Sequence, residues 1–198
     1  MSSKGGLTDN NNDNTSESIR LHLSLCANVA KWHDAPRIQM LAMSRYAPHR
    51  YRWSGLSNFQ VGKYAEYFVK MELTMYGFEV FAPEVDDRGV DFIARYRRGR
   101  WIEVQSKSKR EAGYVFMTKD KFLPSSILYA SVAVFTEGRL PDLYLIPSTA
   151  WQTPDRLLVD RAHYDVPEWG INISKRNKSL LERFRFDEVV ATLLHEKT

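Results

Sequence analysis

Three side chains in two short apolar segments carry the chemistry of this sequence. Asp91 follows Gly89-Val90, and Gln105 and Lys107 stand in Glu103-Val104-Gln105-Ser106-Lys107. A carboxylate, an amide oxygen and water are what a hard divalent cation such as Mg²⁺ accepts. An ammonium group beside them can polarise or orient a water molecule, or offset charge developing on a phosphate. That chemistry needs the three groups on one small patch, so the question is whether the chain places them there.

Strand geometry says it can. Alternate residues of a strand share a face. In the first segment Val90, Phe92, Ala94 and Tyr96 form an apolar face, and Asp91, Ile93 and Arg95 form the other. In the second, Ile102 and Val104 point one way, and Trp101, Glu103, Gln105 and Lys107 the other. Arg97-Arg98-Gly99 between them reads as a three-residue hairpin loop with glycine in the left-handed position. Tyr96 then opposes Arg100, Ile93 opposes Glu103 and Asp91 opposes Gln105, with apolar faces matched. A two-residue loop would set Asp91 against Ser106 and mismatch them. Directly opposed side chains start about 5 Å apart, so Asp91 and Gln105 can share one ligand, with Lys107 diagonal to Asp91. Glu103, one step the other way, is the rival ligand.

The elements around this hairpin follow from pattern. Ser57-Asn58 is an N-cap signal. Val61, Ala65, Phe68, Val69, Leu73 and Tyr76 mark one face of a helix from Phe59 to Tyr76, and Gly77 ends it. Short strands are expected at 78–81, 90–96, 100–107, 114–117, 127–135 and 142–146, and a helix at 180–197. Pro154 and Pro167 mark loops, and Tyr164, Pro167, Glu168 and Trp169 read as a packed turn in preference to a platform for bases. The order implies an α/β fold with a central mixed β-sheet flanked by helices. Residues 1–52 are expected to be disordered or extended, because 1–19 are polar and nearly free of apolar side chains. Residues 53–198 form the single folded domain.

Gly89-Val90-Asp91, then eleven residues, then Glu103-Val104-Gln105-Ser106-Lys107 resembles the Asp…(Asp/Glu/Gln)-x-Lys signature of PD-(D/E)XK nucleases, in its glutamine form. Val61-Gly62-Lys63-Tyr64-Ala65-Glu66 resembles the first helix of that restriction-endonuclease-like fold, whose glutamate often points into the site. The resemblance spans roughly residues 57–146. It implies Mg²⁺, with Mn²⁺ as a substitute, and hydrolysis of phosphodiester bonds in nucleic acid, DNA in the first instance. It implies metal ligation by Asp91 and Gln105 with support from Glu66, and assistance from Lys107. The neutral glutamine departs from the acidic form and keeps a second reading open: an inactive nucleic-acid-binding or protein-interaction module on the same fold.

Charge agrees with a polyanion partner. The whole chain carries +4. The segment 88–121 exceeds that alone, with ten basic residues against four acids. Arg88, Arg95, Arg97, Arg98, Arg100, Lys109, Arg110 and Lys119 are the candidates for phosphate contact. Trp101 is a candidate for stacking on a base and equally for filling core beneath a helix. The single cysteine, Cys26, excludes an intrachain disulfide, and no Cys/His group has zinc-ligand spacing. No apolar run reaches the ~20 residues of a membrane span, so the expectation is a cytoplasmic protein with no membrane partner, and a homodimer is compatible with it.

Overall fold

Ser57 starts the helix on which the fold is built. Its hydroxyl accepts the Gln60 N–H at 3.2 Å, and the Gln60 amide oxygen accepts the Ser57 N–H at 2.8 Å, a reciprocal capping box. Such a cap contributes about 1 kcal/mol. The helix, α1, runs Asn58–Met75 and buries Val61, Ala65, Val69 and Leu73, one residue per turn. It stops where Gly77 takes a left-handed φ of 87°.

The computed structural model describes residues 50–85 and 89–195. Every element below lies in a compact unit that begins at Tyr51. The expectation for residues 1–49, that for Arg88, and the end of the expected helix at 196–197 fall outside the described residues.

The strands that follow are β1 Phe78–Phe81, β2 Phe92–Tyr96, β3 Trp101–Arg110, β4 Gly113–Thr118, β5 Leu128–Phe135, β6 Asp142–Pro147, β7 Leu158–Arg161 and β8 Glu168–Ile173. Two further helices close the chain, α2 Lys178–Leu181 and α3 Phe186–His195. Five strands form one sheet in the order β1-β2-β3-β5-β6. All neighbours are antiparallel except β3 and β5, which run parallel. The fold is therefore α/β with a mixed central sheet and flanking helices. Every residue of β5 is buried, as expected of a strand covered on both faces.

One face packs on α1 and α3, through Phe92, Ala94, Ile102, Val104, Tyr129, Ala133 and Phe135 against Val61, Val69, Leu73, Phe186 and Val190. The other face carries Ala130, Val132 and Val134. It packs on Val115, Met117, Ile171 and Ile173, with Leu181 of α2 alongside. Those partners come from a second, three-stranded antiparallel sheet of order β4-β8-β7. No described helix is long and apolar enough to cross a membrane.

Three expectations need correction. Tyr164 to Trp169 is not a packed turn throughout: Glu168 and Trp169 open β8. The helix expected over 180–197 is broken at Arg185, whose backbone is extended (ψ 134°) and bridges to Tyr144 of β6. The β2–β3 register is the one expected, pairing Phe92 with Val104, Ile93 with Glu103 and Arg95 with Trp101. Its loop differs in detail. Arg97, not Gly99, takes the left-handed conformation, with φ 53°. Gly99 donates to the Tyr96 carbonyl at 2.9 Å, and a Cβ there would stand 3.0 Å from that same oxygen. Glycine is needed for close approach, not for its φ.

Candidate catalytic edge

The two strands of the hairpin differ in length, and that difference makes the site. Pairing with β2 ends at Phe92–Val104, whereas β3 continues to Arg110 paired only with β5. Glu103 donates its N–H toward β5, to Ile127, so the even-numbered N–H groups of β3 point toward β2. Ser106 is the first of these beyond the paired region, and Asp91 meets it: its Oδ2 accepts the Ser106 N–H at 2.5 Å. A carboxylate thus closes the edge of the sheet with a charge-assisted bond.

On β3 the side chains facing α1 change at this point from Ile102 and Val104 to Ser106 and Ser108. The Ser106 and Ser131 hydroxyls lie 2.7 Å apart. Gly62 of α1 leaves room above them. A cleft of about 200 Å³ opens there, lined by Phe59, Gly62, Lys63, Glu66, Asp91 and Ser106. Glu66 and Asp91, far apart in sequence, share it.

Glu66 is held from both sides on its own helix. Lys63 and Lys70 each donate to a different carboxylate oxygen at 2.6 Å, the spacing at which helical neighbours meet. Burial pushes the Glu66 carboxyl upward, but the two lysine bonds outweigh it and the group sits below its ordinary range. Lys63 is raised by its bond to Glu66 first, with Asp91 adding a smaller push in the same direction. The cleft therefore keeps the Glu66 carboxylate ionised and Lys63 charged. Neither lysine is among the residues that the motif nominates, although their positions three before and four after Glu66 are a legible signal.

Gln105 faces the opposite side of the sheet. It is 7% exposed and stands beside Ala130 of β5. Its amide packs on the chain just before Asp91: a Cβ on Gly89, whose φ is 76°, would lie 2.7 Å from the Gln105 Nε2. Its Oε1 is buried and has no hydrogen-bond partner among the described residues. Lys107, the next residue on that face, lines a different and larger cleft of about 480 Å³ that wraps the open edge of β3. Asn58, Val61, Ser108, Lys109, Arg110, Tyr114, Val115 and Phe116 complete it. The structure therefore brings Glu66 and Asp91 together, places Gln105 against the backbone preceding Asp91, and sets Lys107 in the neighbouring cleft. Glu103, paired with Ile93 inside the sheet, lines neither cleft.

The basic residues separate by position. Arg97, Arg98 and Arg100 sit at the hairpin tip. That is the far end of β2 from Asp91, five residues or about 17 Å away. Arg95 pairs with Glu79 at 2.7 Å and lies 4.4 Å over the Trp101 ring, which also packs on Phe81. Lys119 pairs with Asp160 at 2.5 Å and stacks on Trp169. Arg110 is committed to the fold: it donates to the Trp53 carbonyl at 3.1 Å, to the Asn58 side chain at 2.7 Å and to the Leu56 carbonyl, clamping the segment that leads into α1. Of the phosphate-contact candidates, Lys109 and the clamped Arg110 line the cleft at the Asp91 end of the edge, together with Lys107.

No family model matches the chain, and no curated protein matches it. Among solved structures, it is similar to Hjc, a Holliday junction resolvase from the hyperthermophile Archaeoglobus fulgidus. The identity is 16% and the TM-score 0.41, over 63% of this chain and 98% of that one.

Proposed function

We propose that this chain is a divalent-metal-dependent nuclease that hydrolyses phosphodiester bonds in DNA at the open edge of β3. One observation carries the reading: Asp91, fixed on the Ser106 N–H where β3 runs on unpaired with β2, shares a cleft with Lys63 and Glu66, and beside the segment that carries it the buried Gln105 Oε1 has no partner among the described residues. A buried oxygen left unsatisfied costs about 1–3 kcal/mol, and an amide oxygen is a donor of the kind that a hard cation accepts. Asp91 is the anionic donor and Gln105 the neutral one. When bound, Mg²⁺ would acidify a coordinated water and offset phosphate charge.

The protein's own groups do the rest. Asp91 is fixed by the Ser106 N–H, so its second oxygen has a defined direction. Lys107 and Lys109 present charge to the phosphate backbone along the edge. Lys63 and Lys70 hold Glu66 ionised at the neighbouring cleft, where it keeps Lys63 in place beside Asp91. The smaller cleft and the edge together can position a strand and deliver water to one phosphorus.

A second reading, a binding module without catalysis, is favoured by Glu66 itself. Both its oxygens are taken by lysines, and no group of three acidic, histidine or cysteine side chains stands ready for a metal among the described residues. Cleavage of plasmid and oligonucleotide DNA in Mg²⁺ and in Mn²⁺, beside Asp91→Asn and Gln105→Leu, separates the two. The nuclease reading expects metal-dependent cleavage by the natural chain and its loss in both variants. Absence of cleavage, with Mn²⁺ affinity the same in all three proteins, leaves the binding module.

A further inference from the structure

The exposed face of the β4-β8-β7 sheet carries aromatic rings that no core needs. Tyr114, Phe116 and Thr118 alternate outward on β4, while Val115 and Met117 alternate inward and are buried. The Tyr114 and Phe116 rings are nearly parallel, 17° apart with centroids at 6.4 Å. Phe116 is 50% exposed and Tyr164 51% exposed. Phe116 stands on the sheet itself and Tyr164 on the connection between β7 and β8, and the two rings share one side of it.

The face is organised. Gly170 pairs with Phe116 across β4 and β8, and any Cβ there would collide with the Tyr114 ring and its hydroxyl oxygen. Glycine therefore lets that ring lie flat across the sheet. The Tyr114 hydroxyl donates to Glu168 at 2.6 Å. Arg161 stands 4.2 Å from the Tyr114 ring centre and 4.9 Å from that of Tyr164, and also bonds the Tyr164 hydroxyl. Tyr114 and Tyr164 are thus held in place before anything binds, and Phe116 lies nearly parallel to the Tyr114 ring.

Phe116 lines two clefts at once. One is the cationic cleft of Lys107, Lys109 and Arg110, which has no acidic lining residue among the described ones. The other, about 680 Å³, is formed with Thr118, His163, Tyr164, Asp165, Val166 and Glu168. A polymer with an anionic backbone and flat apolar side groups matches that sequence of surfaces. Its phosphates meet the lysines, and its bases meet the rings beyond them.

We propose that this face binds an unpaired nucleic-acid strand, stacking bases on Phe116 and Tyr164 and leading the strand to the β3 edge. The inference rests on the nucleic-acid reading of that edge and adds a substrate class: single-stranded or strand-separated nucleic acid. Duplex bases are stacked on one another and offer no face to a ring, so the platform discriminates against fully paired DNA.

The test is fluorescence anisotropy in EDTA, with a short labelled single strand and the same sequence annealed as a duplex. The full chain is compared with Phe116→Ala, Tyr164→Ala and Phe116→Trp. Each alanine variant is expected to weaken single-strand binding at least about fivefold and leave duplex binding unchanged. Phe116→Trp is expected to retain or tighten single-strand binding, and it serves alone should an alanine variant fail to fold. Equal loss on both probes, no loss on either, or weakening by tryptophan would overturn the proposal. Cleavage of duplex DNA by a chain with no single-strand preference would sink the platform and leave the nuclease standing. Ring-dependent single-strand binding by a chain that cuts nothing in Mg²⁺ or Mn²⁺ would do the reverse.

Discussion

Replacing Asp91 in two ways separates its part in the fold from its part in the chemistry. Its Oδ2 accepts the Ser106 N–H where β3 loses its β2 partner. A hydrogen bond to a charged group is worth about 1.5–3 kcal/mol, against about 0.5–1.5 for a neutral one. Asp91→Asn keeps an acceptor oxygen and gives up the charge, so it should cost about 1 kcal/mol. Asp91→Ala leaves the Ser106 N–H unmet, and because water reaches this half-buried edge the cost should be near 2 kcal/mol, the middle of the range for an unsatisfied group. At about 2–4 °C per kcal/mol for a chain of this size, melting should fall by about 2–4 °C for asparagine and about 4–8 °C for alanine. Metal-dependent cleavage should vanish in both, since each removes the anionic donor beside Gln105. Urea and thermal unfolding, with cleavage measured on the same preparations, read all of this. An alanine variant as stable as the natural chain would refute the edge-closing role. An asparagine variant that still cuts would refute the metal role.

Gln105→Leu should leave melting unchanged or raise it, because a buried acceptor without a partner gives way to an apolar group of similar size, while Mn²⁺ affinity falls; a clear loss of stability by calorimetry would show that the amide is a structural element. Glu66→Gln should destabilise the protein at neutral pH. Glu66 has a folded pKa below its ordinary 4.5, so its contribution is fully present above that value and is lost as pH falls through the lower, folded one; urea unfolding of both proteins across acidic pH should show their difference shrinking over that window, and a constant difference would contradict it. Arg110→Ala should lower stability by about 2–3 kcal/mol by releasing the carbonyls of Trp53 and Leu56, and Arg110→Lys should restore little, since one ammonium cannot span the same acceptors. Thermal unfolding of the two variants decides it.

Local pattern carries the hairpin. Phe92, Ala94, Ile102 and Val104 can all be buried in only one register, so the β2–β3 pairing is legible in the residues themselves. The capping box at Ser57 and the terminating Gly77 are legible for the same reason: their partners lie within a few residues. β7 and β8 escape such a reading: Trp169, Ile171 and Ile173 pack on the core, but Glu168 and Gly170 beside them are buried too, so no simple alternation marks the strand. Pro167 and Gly170 conceal it further, because both residues argue for turns when tertiary context is unknown. The commitment of Arg110 cannot be read from sequence at all. Its acceptors lie more than 50 positions away, and nothing in a run of basic residues distinguishes a clamp from a phosphate ligand.

The same limit explains the site. Alternation places Asp91 opposite Gln105 only while the two strands stay paired, and pairing ends one residue short. Past Phe92 the backbone of Asp91 bonds to Val104 instead, at 2.9 Å, and its carboxylate leaves the pleat and turns to the Ser106 N–H on the α1 side. Gln105 and Lys107 remain in the strand and keep the face that alternation assigns. A ligand held by both Asp91 and Gln105 must therefore sit at the end of the hairpin, off the edge of β3, and not upon either face of the sheet. That position is where β3 runs on alone, where Ser106, Ser108 and Gly62 leave space, and where the cleft of Lys107 and Lys109 begins. The shortness of β2 is thus the feature on which the candidate chemistry depends. A longer β2 would pair the edge, bury the Ser106 N–H in the sheet and close the place where a phosphate could approach.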